Sequence, residues 1–424
     1  MVTNAAGTMR WRDMAREASL ASLVGGHTRC CSRRDFLAGA GTLVFAGMSA
    51  AADNRSGTEF TLFLCGDVMT GRGIDQILPH PGDPMLYESW MRSARGYVAL
   101  AEGETGPLPR AAAFDYIWGD ALAELARVQP DVRIVNLETA ITTAREPWPD
   151  KGIHYRMHPA NLPCLTAAGL DCVSLANNHV LDWGRHGLEE TLRSLHAAGI
   201  RTAGAGVDAD AALAPAAIPL GGGRRLLVYA CATTDSGVPP DWTAGLRQAG
   251  LHVLQDLSKD SVTRIATRID ADRRNGDVVM LSIHWGGNWG YAVSNAARHF
   301  ARSVIDLAAV DLVHGHSSHH PLGIEVHRGR LILYGCGDFL NDYEGIGGHE
   351  QQRPELTMMY FPRLSTDGHL RALELVPMKI RHFRVNRADA AESAWLESML
   401  NREGAAFGTR VEPAGNGSLV LRWD

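Results

Sequence analysis

The feature that most constrains this chain is where its polar residues stand. Five apolar runs of strand length end in a polar cluster: Cys65-Gly66-Asp67-Val68-Met69-Thr70-Gly71-Arg72 follows residues 60–64, Asn136-Leu137-Glu138-Thr139 closes 132–137, Asn177-Asn178-His179-Val180-Leu181-Asp182-Trp183-Gly184 follows 172–175, His284-Trp285-Gly286 follows 278–283, and His314-Gly315-His316-Ser317-Ser318-His319-His320 ends 312–314. Open α/β sheets place their binding crevice outside the carboxyl ends of the strands, so these clusters are expected to converge. Runs at 226–232 and 331–334 read as further strands, and residues 114–128, 187–198, 258–274 and 295–308 carry apolar residues at helical spacing. This alternation argues for an α/β layered fold. From residue 323 onward, 324–326, 357–361 and 372–376 read as shorter antiparallel strands, which suits a second sheet packed on the first.

The residue types in these clusters point to metal chemistry. Imidazole nitrogens with carboxylate and amide oxygens form a borderline-hard donor set that suits Zn, Mn or Fe better than Ca alone. A carboxylate can bridge two ions that clamp a phosphoryl group and activate a water. Each motif also has a structural alternative. Gly66-Asp67 can be a turn or helix cap, Glu138 a salt-bridge or capping partner, Asn178-His179 a cap, and His284 a hydrogen-bonded core histidine. Three imidazoles within five residues, His316, His319 and His320, are the hardest to place without a ligand.

The 424 residues are 45% hydrophobic and 21% charged with a net charge of −6, which gives a normal globular composition and no basic field for nucleic acid. At the N-terminus, Ser32-Arg33-Arg34-Asp35-Phe36-Leu37 precedes a short Gly- and Ala-rich apolar run and then Ser49-Ala50-Ala51-Ala52. That order reads as a secretory signal over residues 1–52 whose paired arginines resemble the twin-arginine type. The expected mature chain, 53–424, is then periplasmic or extracellular, and its five widely spaced cysteines do not look like a disulfide framework. Residues 73–109, rich in Gly, Pro and acidic side chains, read as a lid or substrate loop after the first cluster.

In order and spacing, Gly66–Arg72, Asn136–Thr139, Asn177–Gly184, His284–Gly286 and the histidine cluster before Gly323-Ile324-Glu325 resemble the CapA (poly-γ-glutamate capsule) family. Tyr334-Gly335-Cys336-Gly337-Asp338-Phe339 is similar to its later Gly-Asn-Phe element, and the likeness covers residues 58–345, leaving C-terminal strands and a helix over 346–424. That family is similar to the calcineurin-like metallophosphoesterases, so the resemblance implies a four-layer α/β/β/α sandwich with a metal site at the strand ends. Carried over by position, it implies that Asp67, Glu138, Asn178, His284, His316 and His319 approach one or two divalent metal ions. It makes His179 a proton donor or a guide for a substrate oxygen, oriented by Asp182. Arg72 would neutralise an anionic substrate group, a surface salt bridge being its alternative. The chain departs from the family where Ser317-Ser318-His319 stands for a His-Pro-His element, at Asn288, and at Asp338, which returns a carboxylate.

The implied function is an exported, metal-dependent hydrolase of phosphoesterase type acting on an anionic envelope substrate, linked to poly-γ-glutamate capsule synthesis or release. Its implied partners are an anionic small-molecule or polymer substrate and other capsule-synthesis components, with no nucleic acid and with membrane contact only through export. The alternative is a non-catalytic polymer-binding or assembly subunit that retains the fold.

Overall fold

The computed structural model describes residues 58–424 together with a two-residue strand, Met9–Arg10. The expected signal segment therefore lies almost wholly outside the described residues. The chain first lays down four parallel strands, β1 (Glu59–Val68), β2 (Val132–Leu137), β3 (Cys172–Ser174) and β4 (Arg201–Ala203). It then builds a second sheet from β5 (Ala216–Gly221), β6 (Arg224–Thr233), β7 (Val253–Leu254), β8 (Val278–His284), β9 (Leu312–His316), β10 (Ile324–His327) and β11 (Arg330–Leu333), in the order β7-β6-β8-β9-β11-β10 with β5 beside β6. Finally it returns to the first sheet through β12 (Asp338–Leu340), β13 (Leu356–Ser365), β14 (Leu370–Ile380), β15 (Val385–Arg387), β16 (Thr409–Pro413) and β17 (Leu419–Trp423).

That return corrects one expectation. The second sheet is made by residues 216–333, and β13 and β14 extend the first sheet, β13 pairing antiparallel with β1 and β14 with β13. They are also long, at 10 and 11 residues.

Side-chain alternation along β6 shows how the layers meet. Leu226, Val228 and Ala230 share one buried core with Leu62, Leu64, Ile134 and Val173 of the first sheet. Leu227, Tyr229 and Cys231 face the other way, into a second core with Val262, Ile265 and Ile269 of α1 (Lys259–Asp272) and Phe300, Ala301 and Val304 of α2 (Asn295–Ala308). Both helices start where an N-cap serine says they should: Ser258 accepts from the Ser261 N–H and Ser294 from the Ala297 N–H. The helix expected over 114–128 is shorter. A 3-10 turn, Tyr116–Trp118, is separated from the helix Ala121–Val128 by Gly119, whose φ of 46° breaks the regular path.

Residues 73–109, expected as a loop, are largely structured. They contain the helices Gly73–Ile77 and Ala94–Thr105, and Leu86, Ala94 and Tyr97 form a small core of their own. Asp75 is buried and accepts from the Gly82 N–H (2.7 Å), the His158 N–H (2.8 Å) and Asn161 Nδ2 (2.8 Å), which fastens the segment to the body. The five described cysteines are all free and buried. No helix of the described residues is long and apolar enough to cross a membrane.

Candidate metal centre

Strand register aligns the site. Across the first sheet Asp338 of β12 pairs with Asp67 of β1, and Asp67 with Asn136 of β2; across the second, His284 of β8 pairs with His316 of β9. Gly66 permits the first of these pairings. A Cβ there would lie 1.6 Å from the Gly337 carbonyl oxygen, so only glycine lets the strand ends approach this closely.

Two overlapping groups of ligand atoms result, Asp67 with His284 and His316, and Asp67 with His319 and Asp338, all buried. Such Asp and His sets are compatible with a divalent metal ion. Asp67 belongs to both, the arrangement a bridging carboxylate requires. Its Oδ1 accepts from Asn136 Nδ2 (2.8 Å) and its Oδ2 from the Ser317 N–H (3.2 Å). Asn136 is in turn held by Asn177, whose Nδ2 donates to Asn136 Oδ1 (3.1 Å) and to the Leu137 carbonyl (2.8 Å).

The imidazoles are oriented by a one-way hydrogen-bond chain. His314 Nε2 donates to the Cys65 carbonyl (2.8 Å), which leaves its Nδ1 to accept from Ser282 Oγ (3.1 Å). Ser282 Oγ must then accept from His316 Nε2 (3.0 Å), so His316 Nδ1 carries a lone pair, 2.8 Å from His284 Nδ1. Fixing one ring nitrogen so that the other is free is how proteins prepare histidine ligands. His319 Nδ1 lies 2.8 Å from Asp338 Oδ1, and Asn341 Nδ2 holds the other Asp338 oxygen at 2.7 Å.

Glu138 lies beside these groups, with Oε2 3.4 Å from Asn136 Nδ2 and Oε1 3.8 Å from His179 Nε2. The Asn178 side-chain oxygen, Oδ1, is buried and has no hydrogen-bond partner, the condition of an amide oxygen that could take a cation. His179 Nδ1 lies 2.7 Å from Asp182 Oδ2, and Lys151 Nζ lies 2.6 Å from Asp182 Oδ1. Burial raises the Asp67 pKa to about 7, with Asp338 adding to it, and burial with Asp67 and Asp338 pushes Glu138 well up. Burial drives His284 and His316 well down, as it does His179 with the help of Lys151. On His319 burial pulls down, but Asp338 and Asp67 outweigh it and raise the pKa.

Arg72 does not face a substrate space. Its guanidinium is buried, with Nε donating to Asp342 Oδ2 (3.1 Å), Nη2 to Asp342 Oδ1 and Nη1 to Glu88 Oε1 (3.2 Å). It lies 3.8 Å from the Tyr97 ring centre and 4.2 Å from that of Tyr155. It is a buried structural cation rather than a surface salt bridge or an anion anchor. Ser317, at a φ of 95°, turns its Oγ to the Gly286 carbonyl (3.2 Å) and offers Asp67 only its N–H. Asn288 is exposed and contributes a carbonyl to the His319 N–H (3.0 Å). Trp285 is a core aromatic packed on Tyr334, Trp289 stands 5.3 Å from His319, and Tyr291 packs on His320, which stays outside the cluster. Asn136, Asn177, Ser282, Asn341 and Lys151 are the participants that sequence reasoning missed. Only Asn136 and Asn177 carried a signal, their place inside the strand-end motifs.

The model of the family described as "Bacterial capsule synthesis protein PGA_cap" matches residues 61–343, which span all of these motifs. The chain belongs to this family. It is 46% identical over 353 residues, 83% of its own length and 93% of the relative's, to a "Probable polyglutamine synthesis accessory protein" of Mycobacterium tuberculosis. It is 23% identical to "Capsule biosynthesis protein CapA" of Bacillus anthracis, covering 78% of this chain and 70% of that one. To "PGA biosynthesis protein CapA" of Bacillus subtilis the identity is 22%, with coverage of 74% and 70%. The expected CapA membership is therefore correct.

Proposed function

We propose that this PGA_cap protein is an exported, metal-dependent hydrolase acting on an anionic envelope substrate, with poly-γ-glutamate as the polymer that its relatives' names suggest. One observation carries the reading. Asp67, Glu138 and Asp338 bring three carboxylates into a buried space that His319, beside Asp338, compensates only in part, the ammonium of Lys151 being paired with Asp182. Uncompensated buried charge is costly, and divalent cations held by Asp67, His284, His316, His319 and Asp338, with Glu138 and Asn178 at the margin, would neutralise it. Cores on both faces of the second sheet support the finer fold reading, a four-layer α/β/β/α sandwich of metallophosphoesterase type.

Bound divalent ions would supply Lewis acidity at a phosphorus or carbonyl centre. The chain's own residues orient the donors, exclude bulk water and present His179 Nε2 where a substrate oxygen can exchange a proton with it. To test this, the purified protein is analysed for metal and assayed with Mn or Zn on phosphomonoesters, phosphodiesters and γ-linked glutamate oligomers. His284→Ala is expected to lose both metal and turnover. Unchanged metal content in that variant would sink the reading, and bound metal without turnover on any of these substrates would favour the non-catalytic polymer-binding or assembly subunit.

Export rests on Arg33 and Arg34 before the apolar run. Replacing both by lysine is expected to leave an uncleaved precursor in the cytoplasm, as fractionation and blotting would show. Normal secretion of that variant would refute the twin-arginine route.

A further inference from the structure

Lys151 comes from an irregular stretch in which Pro147, Pro149 and Gly152 prevent helix or strand, and nothing in its sequence neighbourhood marks it. Its side chain is nonetheless only 13% exposed. Nζ lies 2.6 Å from Asp182 Oδ1, 3.1 Å from the Ile153 carbonyl and 3.1 Å from His179 Nδ1, and 5.7 Å from the Trp242 ring centre. The opposite oxygen of Asp182 accepts from the Tyr155 N–H (2.6 Å) and lies 2.7 Å from His179 Nδ1.

Of the two contacts at His179 Nδ1, the one to Asp182 Oδ2 (2.7 Å) is shorter than the one to Lys151 Nζ (3.1 Å), and it assigns the ring proton to Nδ1. An ammonium has no lone pair and a carboxylate has no proton to give. Lys151 therefore forms its ion pair with Asp182 Oδ1, and His179 donates Nδ1–H to Oδ2. The lone pair of His179 is left on Nε2, which points to Glu138 Oε1 at 3.8 Å and hence to the carboxylate cluster. The Tyr155 ring, 4.5 Å away and nearly perpendicular, closes the other side of the imidazole. Without Lys151 the carboxylate would lose the contact that fixes its Oδ1, and the imidazole could rotate or change tautomer.

We propose that Lys151 is the positioning residue of this site: by anchoring Asp182 it sets the His179 imidazole with Nδ1 protonated and Nε2 directed at the carboxylate cluster. The purpose of that orientation rests on the function proposed above, but the orientation is measurable without turnover.

The test uses the full chain labelled with 15N in its histidine rings, with and without added zinc, and with Cys30 and Cys31 replaced by serine. His179 is assigned by the signal lost in His179→Gln. In this background it is expected to show a single Nδ1–H tautomer, which Lys151→Met replaces by a mixture or by the other tautomer. Metal content should not change in that variant, because the contacts of Lys151 are with Asp182, His179, the Ile153 carbonyl and Trp242 and not with Asp67, His284, His316, His319 or Asp338. Lys151→Cys should behave like Lys151→Met until aminoethylation rebuilds a lysine-length ammonium, and the remaining described cysteines, being buried, are shielded from that reagent. Recovery of the original tautomer on aminoethylation supports the proposal. An unchanged His179 signal in Lys151→Met overturns it. So does a signal that aminoethylation fails to restore, which would mark a merely structural loss, or a different tautomer in the starting protein. Absence of metal from that starting protein would instead count against the proposed hydrolase and leave the tautomer result standing.

Discussion

Asp67→Asn is expected to lower the bound metal of the purified protein more than tenfold while leaving the chain folded. The side chain keeps its shape, and its Oδ1 can still accept from Asn136 Nδ2, 2.8 Å away. What disappears is the anionic oxygen shared by both ligand groups. Loss of an outer-shell partner alone typically reduces metal affinity about 10–100-fold, so removing a shared ligand should do at least as much. Elemental analysis after dialysis against buffered metal reads the effect directly, and metal content equal to wild type would show that these groups hold no ion.

The same substitution has a pH signature in the metal-free protein. Burial and Asp338 raise the Asp67 pKa from 3.8 to about 7, so the folded state favours the protonated form. Its stabilising contribution is fully present below 3.8 and is lost as pH rises through about 7. Metal-free wild type should therefore lose stability across that window, and Asp67→Asn should flatten this part of the slope in denaturation curves. Metal binding has the opposite preference, because the carboxylate must be deprotonated to act as a ligand.

Much of the site was legible because each ligand interrupts an apolar run at the point where the chain leaves a buried strand. That position marked Asp67, His284 and the histidines 316, 319 and 320 as candidates, the CapA resemblance singled out His319 over His320, and strand register sets Asp67, His284 and His316 at the strand ends. Strand order was not legible. An antiparallel strand such as β13 can satisfy its backbone on either sheet, and nothing in residues 356–365 says that β1 is its neighbour. The supporting contacts were hidden for a related reason. Lys151 stands in an irregular stretch 28 residues before His179, with a helix and β3 between them, and Asn341 meets Asp338 just past the end of β12, outside every strand-end motif.

Arg72 shows the same limit from the other side. A basic residue just beyond a strand-end Gly-Asp looks like an anion anchor, because its true partner, Asp342, lies 270 residues away. Arg72→Met should therefore act on stability and only indirectly on metal or substrate. The variant strands two carboxylates, Glu88 and Asp342, in a buried space, and removes a cation lying over two tyrosine rings. Breaking a buried ion pair by removing one partner costs about 3–5 kcal/mol, and the loss of cation–π contact adds roughly 0.5–2 kcal/mol. Arg72→Lys should recover only part of this, since an ammonium cannot present the planar fork that grips both Asp342 oxygens. Chemical denaturation of the three proteins measures the order, wild type above lysine above methionine. If Arg72→Met were as stable as wild type but bound anions less tightly, the guanidinium would have to face the substrate after all. The geometry of Tyr155 and of Tyr343, whose ring centre lies 5.7 Å from the guanidinium, opposes that outcome: Tyr155 packs its ring against His179 and Tyr343 against His319, and their hydroxyls meet at 3.1 Å. A pair of rings braced on Arg72 and touching both imidazoles links the stability of this buried cation to the orientation of the site itself.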